Sequence, residues 1–364
     1  MSLQFRSMLA PPGPLIEQIA ASDPTNPFRT AEYVSATEHL GAQTCLIGLW
    51  EGSEPVSGCF GFLTDSGLRR RLSIPSLPSI PNPQLFWKGL LQLCRKLKVW
   101  RLETNTYGSP AVEVPQLRGE LNRRTRWEYT LDLTCANMLD GISSHHRRNI
   151  TRAAQAGLRV HRTRSASGCA QHLELMRLSR MRRAGRGASV DAESGNEREL
   201  ALLASGSGEI FLAIRGEEVM SSGLVLRSRT GAYYQTAGNS PEGLKLGSSA
   251  FLTLQIAVIL QQEGISLFNV GGSGADNPGL RRFKAGFGAR EIELQAAAFC
   301  PRSVVERKVH GALRVGWRWI KTAAHFIGQN SSRQTGHSSS GRRALPDALV
   351  SAGTRNGEEN RPCI

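Results

Sequence analysis

The feature that most constrains this 364-residue chain is an internal repeat. Residues 45–64, CLIGLWEGSEPVSGCFGFLT, read as an apolar strand, an acidic glycine-containing turn and a second strand beginning at Val56. Residues 210–229, IFLAIRGEEVMSSGLVLRSR, read the same way, with the second strand beginning at Val219. Both are β-hairpin patterns. Each is followed, at a similar distance, by a helix and a further strand. In residues 83–100 the apolar positions 86, 90, 93 and 97 follow a helical spacing, and RLET comes next as a short strand. Residues 247–265 form a largely apolar helix that Gly264 is placed to end, and SLFNVGG reads as a buried strand running into a glycine turn. The same order occurring twice implies two copies of one α/β unit. The boundary falls near Cys135, just after WEYTLDL, which sets an N-terminal domain at 1–135 and a C-terminal domain at 136–300.

Composition narrows the setting. Hydrophobic residues make up 40% of the chain, enough for an ordinary core. The seven cysteines are scattered, odd in number and never spaced C-x-x-C, which argues against a disulfide scaffold or a clustered zinc site and for a reducing compartment. No metal site is expected. The N-terminus has no long apolar h-region, and the longest apolar stretch, Ala250 to Leu260, falls short of the roughly 20 residues a bilayer span takes. The reading is a cytoplasmic globular protein, with room for a peripheral position on the inner face of the membrane.

The net charge is +15, concentrated in two regions. From Asp140 to Arg186 there are eleven Lys/Arg and two Asp/Glu. From Arg302 onward there are eleven and four. Solvated surface and attraction to a polyanion both explain this. In 305–327, Val305, Val309, Leu313, Gly316, Ile320, Ala323 and Ile327 advance by three and four. Arg307, Arg314, Arg318 and Lys321 make a separate basic stripe. Residues 301–328 are therefore assigned as a basic amphipathic helix, fit for an anionic membrane surface or for packing on the domain. Residues 329–364, rich in Ser, Gly, Arg and Asn, read as a disordered tail.

Three stretches of the second unit carry candidate chemistry. In residues 145–161, a basic helix clusters Arg147, Arg148 and Arg152 before Gly157 ends it; arginine forks suit phosphate or carboxylate, and also simply cover surface. The adjacent His145 and His146 do not share a helix face and make a poor metal pair. In residues 231–250, a strand with Tyr233 and Tyr234 enters a loop with Gly238, Gly243 and Gly247 before a helix starting near Ser248. Free N–H groups at such a helix start suit an anion such as a pyrophosphate, and a plain connection explains the glycines equally well. In residues 267–289, Gly271 and Gly272 end a buried strand, and GLRRFKAGFG follows. Lys284 between Phe283 and Phe287 is placed for partial desolvation, which lowers a lysine's pKa. A lysine snorkelling past core aromatics has the same pattern.

Taken together, RRNITRA, the Tyr-Tyr strand with its glycine loop and apolar helix, and GLRRFKAGFG resemble the FemAB-like branch of the GNAT acyltransferase superfamily. The resemblance spans about residues 20–300 and is strongest in the second unit. It implies tandem GNAT-like domains of α/β class, each a central mixed sheet flanked by helices. It also implies N-acyl or aminoacyl transfer to an amine. The family's F-K-x-x-F lysine, thought to polarise the acyl carbonyl, falls on Lys284. Tyr234 is the candidate proton donor to the leaving group. Gly243, Gly247 and Ser248 are candidates for holding the donor. Arg147, Arg148, Arg152, Tyr233, Gly271 and Gly272 are candidates for holding substrate, although strand alternation puts only one of the two tyrosines in the site. Many relatives carry an acid in the strand before the glycine turn, where this chain has Asn269. The tRNA-dependent enzymes often carry a long helical arm, for which 165–208 is too short. That favours acyl-CoA, acetyl-CoA in the first instance, as co-substrate. The expected acceptor is a small-molecule or lipid-linked amine such as an amino sugar of envelope or exopolysaccharide synthesis. Aminoacyl-tRNA as donor, and a non-catalytic membrane-associated protein, are the alternatives.

Overall fold

A computed structural model describes residues 2–66, 69–135, 140–185, 187, 196–274 and 276–303. The helix read at 305–327 and the tail at 329–364 lie outside the described residues. The first half runs β1 (Leu3–Leu9), α1 (Gly13–Ser22), α2 (Ala31–His39), β2 (Gln43–Glu51), β3 (Glu54–Ser66), β4 (Arg69–Ile74), α3 (Pro83–Lys96), β5 (Val99–Thr104) and β6 (Glu120–Asp132). The second runs α4 (Ser144–Gln155), β7 (Arg159–Thr163), α5 (Ala166–Ala184), α6 (Glu197–Ala204), β8 (Gly208–Arg215) and β9 (Glu218–Arg227). It continues with β10 (Gly231–Asn239), α7 (Pro241–Leu246), α8 (Ser248–Gln262), β11 (Leu267–Gly274), α9 (Pro278–Ala285) and β12 (Arg290–Phe299).

The hairpins are β2–β3 and β8–β9, the apolar helices are α3 and α8, and the strands after them are β5 and β11. Helix α8 buries Leu252, Ile256 and Leu260, as a crossover between parallel strands must. Gly157 and Gly264 take φ of +77° and +78° and end α4 and α8 in the left-handed conformation that glycine tolerates.

The two copies do not keep separate sheets. All twelve strands form one sheet in the order β1-β2-β3-β4-β5-β12-β6-β11-β10-β9-β8-β7. Replacing each strand by its counterpart six places on gives the same order reversed. The symmetry arises because the last strand of each copy crosses over: β6 pairs with β11, β12 pairs with β5, and β6 and β12 pair with each other. A cut at Cys135 would therefore leave both copies short of a partner strand. Among the described residues, no helix is long and apolar enough to cross a membrane.

Helices cover both faces. One face packs Tyr129, Phe268, Val270 and Phe287 against α8. The other packs Tyr233, Leu224 and Leu226 against Phe28 and Tyr33. The copies differ in the seam between their central parallel strands. In the first, β4 and β5 pair from Arg70↔Val99 to Ile74↔Thr104, and bonds from Asn105 N–H to Ile74 O (2.7 Å) and Tyr107 N–H to Pro75 O (3.0 Å) carry the seam further. In the second, β10 and β11 pair only from Gly231↔Leu267 to Tyr233↔Asn269, then part.

Candidate active site

Where β10 and β11 part, a cavity of about 520 Å³ opens. Tyr234, Thr236 and Asn239 line it from β10, Val270 and Gly272 from β11, and Phe283, Lys284 and Phe287 from the α9 region. Two irregularities make the gap. Strand β10 shifts register against β9 between Tyr234 and Thr236, and β11 shifts against β6 between Asn269 and Gly272. Gly271 sits at φ +80°, where an added Cβ would lie 2.6 Å from Tyr234 O. Its N–H donates to Asn269 Oδ1 at 2.9 Å.

Helix α9 delivers Lys284. Asn277 caps its start by accepting the Leu280 N–H. His146, in the first turn of α4, fixes its end: Nε2 donates to Phe283 O at 2.7 Å, and the ring lies 4.9 and 4.4 Å from the rings of Phe283 and Phe287. A Cβ on Gly286 would fall 2.9 Å from His146 Nε2, so the glycine of FKAGF is the space the imidazole occupies. Lys284 is 9% exposed, and Nζ donates to Gly272 O at 2.8 Å. Burial pushes its pKa down to about 7; the charge of Glu128 partly opposes this, and that of Arg126 adds to it. The first copy has no helix between β5 and β6, hence no counterpart of this lysine's carrier.

Tyr234 reaches the cavity, and burial raises its hydroxyl pKa well above the ordinary value, so it remains a proton donor. Tyr233 points to the other face, where its hydroxyl donates to Glu128 Oε1 at 2.8 Å. Gly272 lines the cavity. Gly243, Gly247 and Ser248 do not line it, though their neighbours Leu244 and Ser249 do. The Gly243 N–H is spent on Ser240 Oγ (2.9 Å) and the Gly247 N–H on Leu244 O (3.2 Å). Ser248 is fully buried with its hydroxyl unpartnered.

The three arginines of α4 lie away from the cavity. Arg147 donates to Ile142 O (2.9 Å) and Asp140 O (3.1 Å), and Arg152 to Lys245 O (3.0 Å). They tie α4 to its own lead-in and to α7, and Arg148 is exposed. The guanidinium groups that reach the cavity are Arg182 and Arg183 at the end of α5, which the sequence reading did not select.

Two further groups were missed. Glu128 on β6 is 1% exposed and accepts from Tyr233 Oη, Arg126 Nη2 (2.7 Å), Asn269 Nδ2 (2.7 Å) and the Gly108 N–H (3.0 Å). Its carboxylate lies beside position 269, on the strand that pairs with β11. Its signal was an acid flanked by the aromatics Trp127 and Tyr129. His172 on α5 is fully buried and bridges Ser222 Oγ (2.8 Å) and the cavity residue Thr236 (2.9 Å). No sequence pattern marks it. Among the described residues, no group of three His, Cys, Asp or Glu is placed to hold a metal ion.

Burial holds His172 down at about 4, against 6.5 when free. Between those values the unfolded chain binds the proton and the folded chain does not. Stability is therefore present above pH 6.5 and lost as pH falls through 4. Urea unfolding between pH 7 and 4 should show a loss of about 3 kcal/mol from this group. His172→Gln should flatten the slope; an unchanged slope would remove His172 as its source.

Residues 143–285 match the sequence model of the acetyltransferase (GNAT) domain family. This part of the chain is a GNAT domain. The GNAT match runs from the N-cap of α4 to the end of α9, which brackets the cavity and Lys284. Among solved structures, the fold is that of FemX, with a TM-score of 0.62 at 11% identity over 80% of this chain and 96% of that one. A conserved protein of unknown function from Bacteroides thetaiotaomicron aligns with a TM-score of 0.50 at 10% identity, over 79% of this chain and 96% of that one. A tandem GNAT protein from the clavulanic acid biosynthesis pathway aligns with a TM-score of 0.49 at 13% identity, over 82% and 98%. Comparison with curated proteins gives no match.

Proposed function

We propose that this GNAT enzyme transfers an acyl group, acetyl in the simplest case, from acyl-CoA to a primary amine of an amino-sugar type acceptor, with Lys284 at the reacting carbonyl. The observation that carries this reading is the parting of β10 and β11 beside a buried lysine. A sheet that opens leaves backbone N–H and C=O groups on both inner edges. Those edges suit the amides of an extended thioester arm, because a buried backbone group needs a partner. Arg182 and Arg183 stand at the same cavity and suit the donor's phosphates.

The chemistry follows from charge. Attack of a neutral amine on the thioester carbonyl puts negative charge on the carbonyl oxygen, and the Lys284 ammonium is the cation beside it. The tetrahedral species collapses by expelling the thiolate, which takes a proton from Tyr234 Oη. The amine's own proton leaves to water, and water returns a proton to Tyr234. Peripheral membrane docking through 305–327 and a position in envelope synthesis belong to the same proposal.

Aminoacyl-tRNA as donor is the second reading, favoured by the +15 charge and the FemX-like fold. A thermal-shift panel with acetyl-CoA, longer acyl-CoAs and free CoA separates the two. A ligand at about 100 times its dissociation constant stabilises by roughly 2.7 kcal/mol. A shift with an acyl-CoA upholds the CoA reading. A flat panel overturns it, and RNA binding that weakens steeply with salt would then establish the second.

A further inference from the structure

The cavity where β10 and β11 part is lined by helices from both faces of the sheet. Helix α8 packs in the core with Phe268 and Val270, and α5 packs in the core with Leu224 and Tyr233. Ser249 and Thr253 of α8 and Met176 and Ser179 of α5 all line this one cavity. The register shift in β10 separates two hydroxyls between these faces. Tyr234 pairs with Val225 of the α8 core, whereas Thr236 pairs with Leu224 of the α5 core. Directly paired residues share a face, so Tyr234 and Thr236 meet the cavity from opposite sides. Lys284 stands on the Tyr234 side, because Phe283 and Phe287 pack on the α8 core.

The Thr236 hydroxyl has a fixed direction. His172 engages both ring nitrogens, Nδ1 with Ser222 Oγ at 2.8 Å and Nε2 with Thr236 Oγ1 at 2.9 Å. Burial keeps the ring neutral at pH 7, so one nitrogen donates and the other accepts. Ser222 decides which. It is buried, and His172 is the one hydrogen-bond partner of its hydroxyl among the described residues. A buried hydroxyl proton needs an acceptor, so Ser222 donates to Nδ1. The ring proton then sits on Nε2 and is donated to Thr236 Oγ1. Thr236, half-buried, accepts that bond and keeps its own O–H for the cavity. Each bond in the row polarises the next, which strengthens the last donor.

We propose that Thr236 selects the acceptor, donating its hydroxyl proton to an oxygen on the carbon beside the reacting amine, with His172 as the positioning residue behind it; this rests on the acyl-transfer reading above. A thioester arm held by open strand edges keeps its carbonyl plane near that of the sheet, because strand hydrogen bonds lie in the sheet. Its two faces then look towards α5 and α8. Attack on one face drives the carbonyl oxygen and the sulfur towards the other. Lys284 and Tyr234, which meet that oxygen and that sulfur, stand on the α8 side. The amine therefore arrives from the α5 side, where Thr236 is. An O–H bonded to the amine's lone pair would block attack, so the productive partner is a neighbouring oxygen. The acceptor class this defines is a vicinal hydroxy-amine, as in a 2-amino sugar.

The test compares trans-2-aminocyclohexanol with cyclohexylamine as acceptors for acetyl-CoA, a pair that differs by one hydroxyl beside the amine. Thr236→Val, which keeps the branched shape, should lower the kcat/KM preference for the hydroxy-amine about tenfold, the scale of one hydrogen bond, and leave KM for acetyl-CoA unchanged. Thr236→Ser should keep the preference. His172→Gln, whose amide nitrogen can stand where Nε2 does, should keep most of it, and the shorter His172→Asn should lose it. A merely structural role would change the rates for both amines alike. Nitrogen-15 NMR of the full chain at pH 7 should find His172 in the Nε2–H tautomer, a measurement that still decides if the variants fail to fold. An unchanged preference in Thr236→Val, or the Nδ1–H tautomer, would overturn the proposal. A wild type that acetyl-CoA stabilises but that acylates neither amine overturns this acceptor class alone. A wild type that no acyl-CoA stabilises overturns the reading of the reaction, and this acceptor with it.

Discussion

Lys284→Met should lower kcat/KM for acyl-CoA-dependent acylation of glucosamine by about 100- to 1000-fold, the usual scale for removing one group that stabilises an oxyanion. Methionine keeps the length and apolar stem of lysine, so the loss should come without unfolding. The ammonium is the working form, and burial holds its pKa at about 7. A lysine loses its charge as pH rises, so wild-type activity should fall as pH rises through about 7. Lys284→Arg, charged throughout, should lack that decline whatever its absolute rate. Activity of the methionine variant within threefold of wild type across the pH range would remove Lys284 from the mechanism.

Glu128→Ala should cost about 4 kcal/mol in urea unfolding, since breaking a buried ion pair from one side leaves the other charge uncompensated. Arg126 is 7% exposed, and Tyr233, Asn269 and Gly108 would lose their acceptor together. Adding Arg126→Met should recover about 2 kcal/mol of that cost, because neighbours in one network are not additive. A single-variant loss below about 1 kcal/mol would show that the network is not what holds β6 to β10 and β11. The milder Glu128→Gln has a second use. Glu128 supports the charge on Lys284, so its neutralisation should move the alkaline decline of activity to lower pH.

What could be read from the residues was local. Hairpins β2–β3 and β8–β9, helices α3 and α8 and the glycine stops at Gly157 and Gly264 each carry their signal within about twenty residues. Strand β4 (RRRLSI) hides its pattern behind three arginines, and β6 (ELNRRTRWEYTLD), whose Arg126 is buried, pairs with β11 and β12, more than a hundred residues further along the chain. Pairing across the two copies was invisible for the same reason: Thr104 Oγ1 donates to Ala297 O, 193 positions away. The site divides likewise. FKAGF was legible because its lysine, glycine and aromatics sit side by side. Arg147 and Arg152 misled because their nearest acceptors are carbonyls of their own surroundings, which composition does not show. Glu128 and His172 act through partners on other elements, so their neighbours in sequence do not reveal what they hold.

The crossing of the last strands has a consequence for biosynthesis. As the chain leaves the ribosome, the edge of β5 has no neighbour until β12, nearly two hundred residues later, is made. The first copy, although it is the half with a closed seam, is therefore the half left waiting. Pairing over such sequence separation is slow, and an open strand edge invites other chains. The same crossing explains why a half without a cleft persists: it places Arg126 and Glu128 beneath the lysine of the other. Neither copy can be shed, duplicated or expressed alone without unmaking the other, so the pair is inherited and folded as a single object.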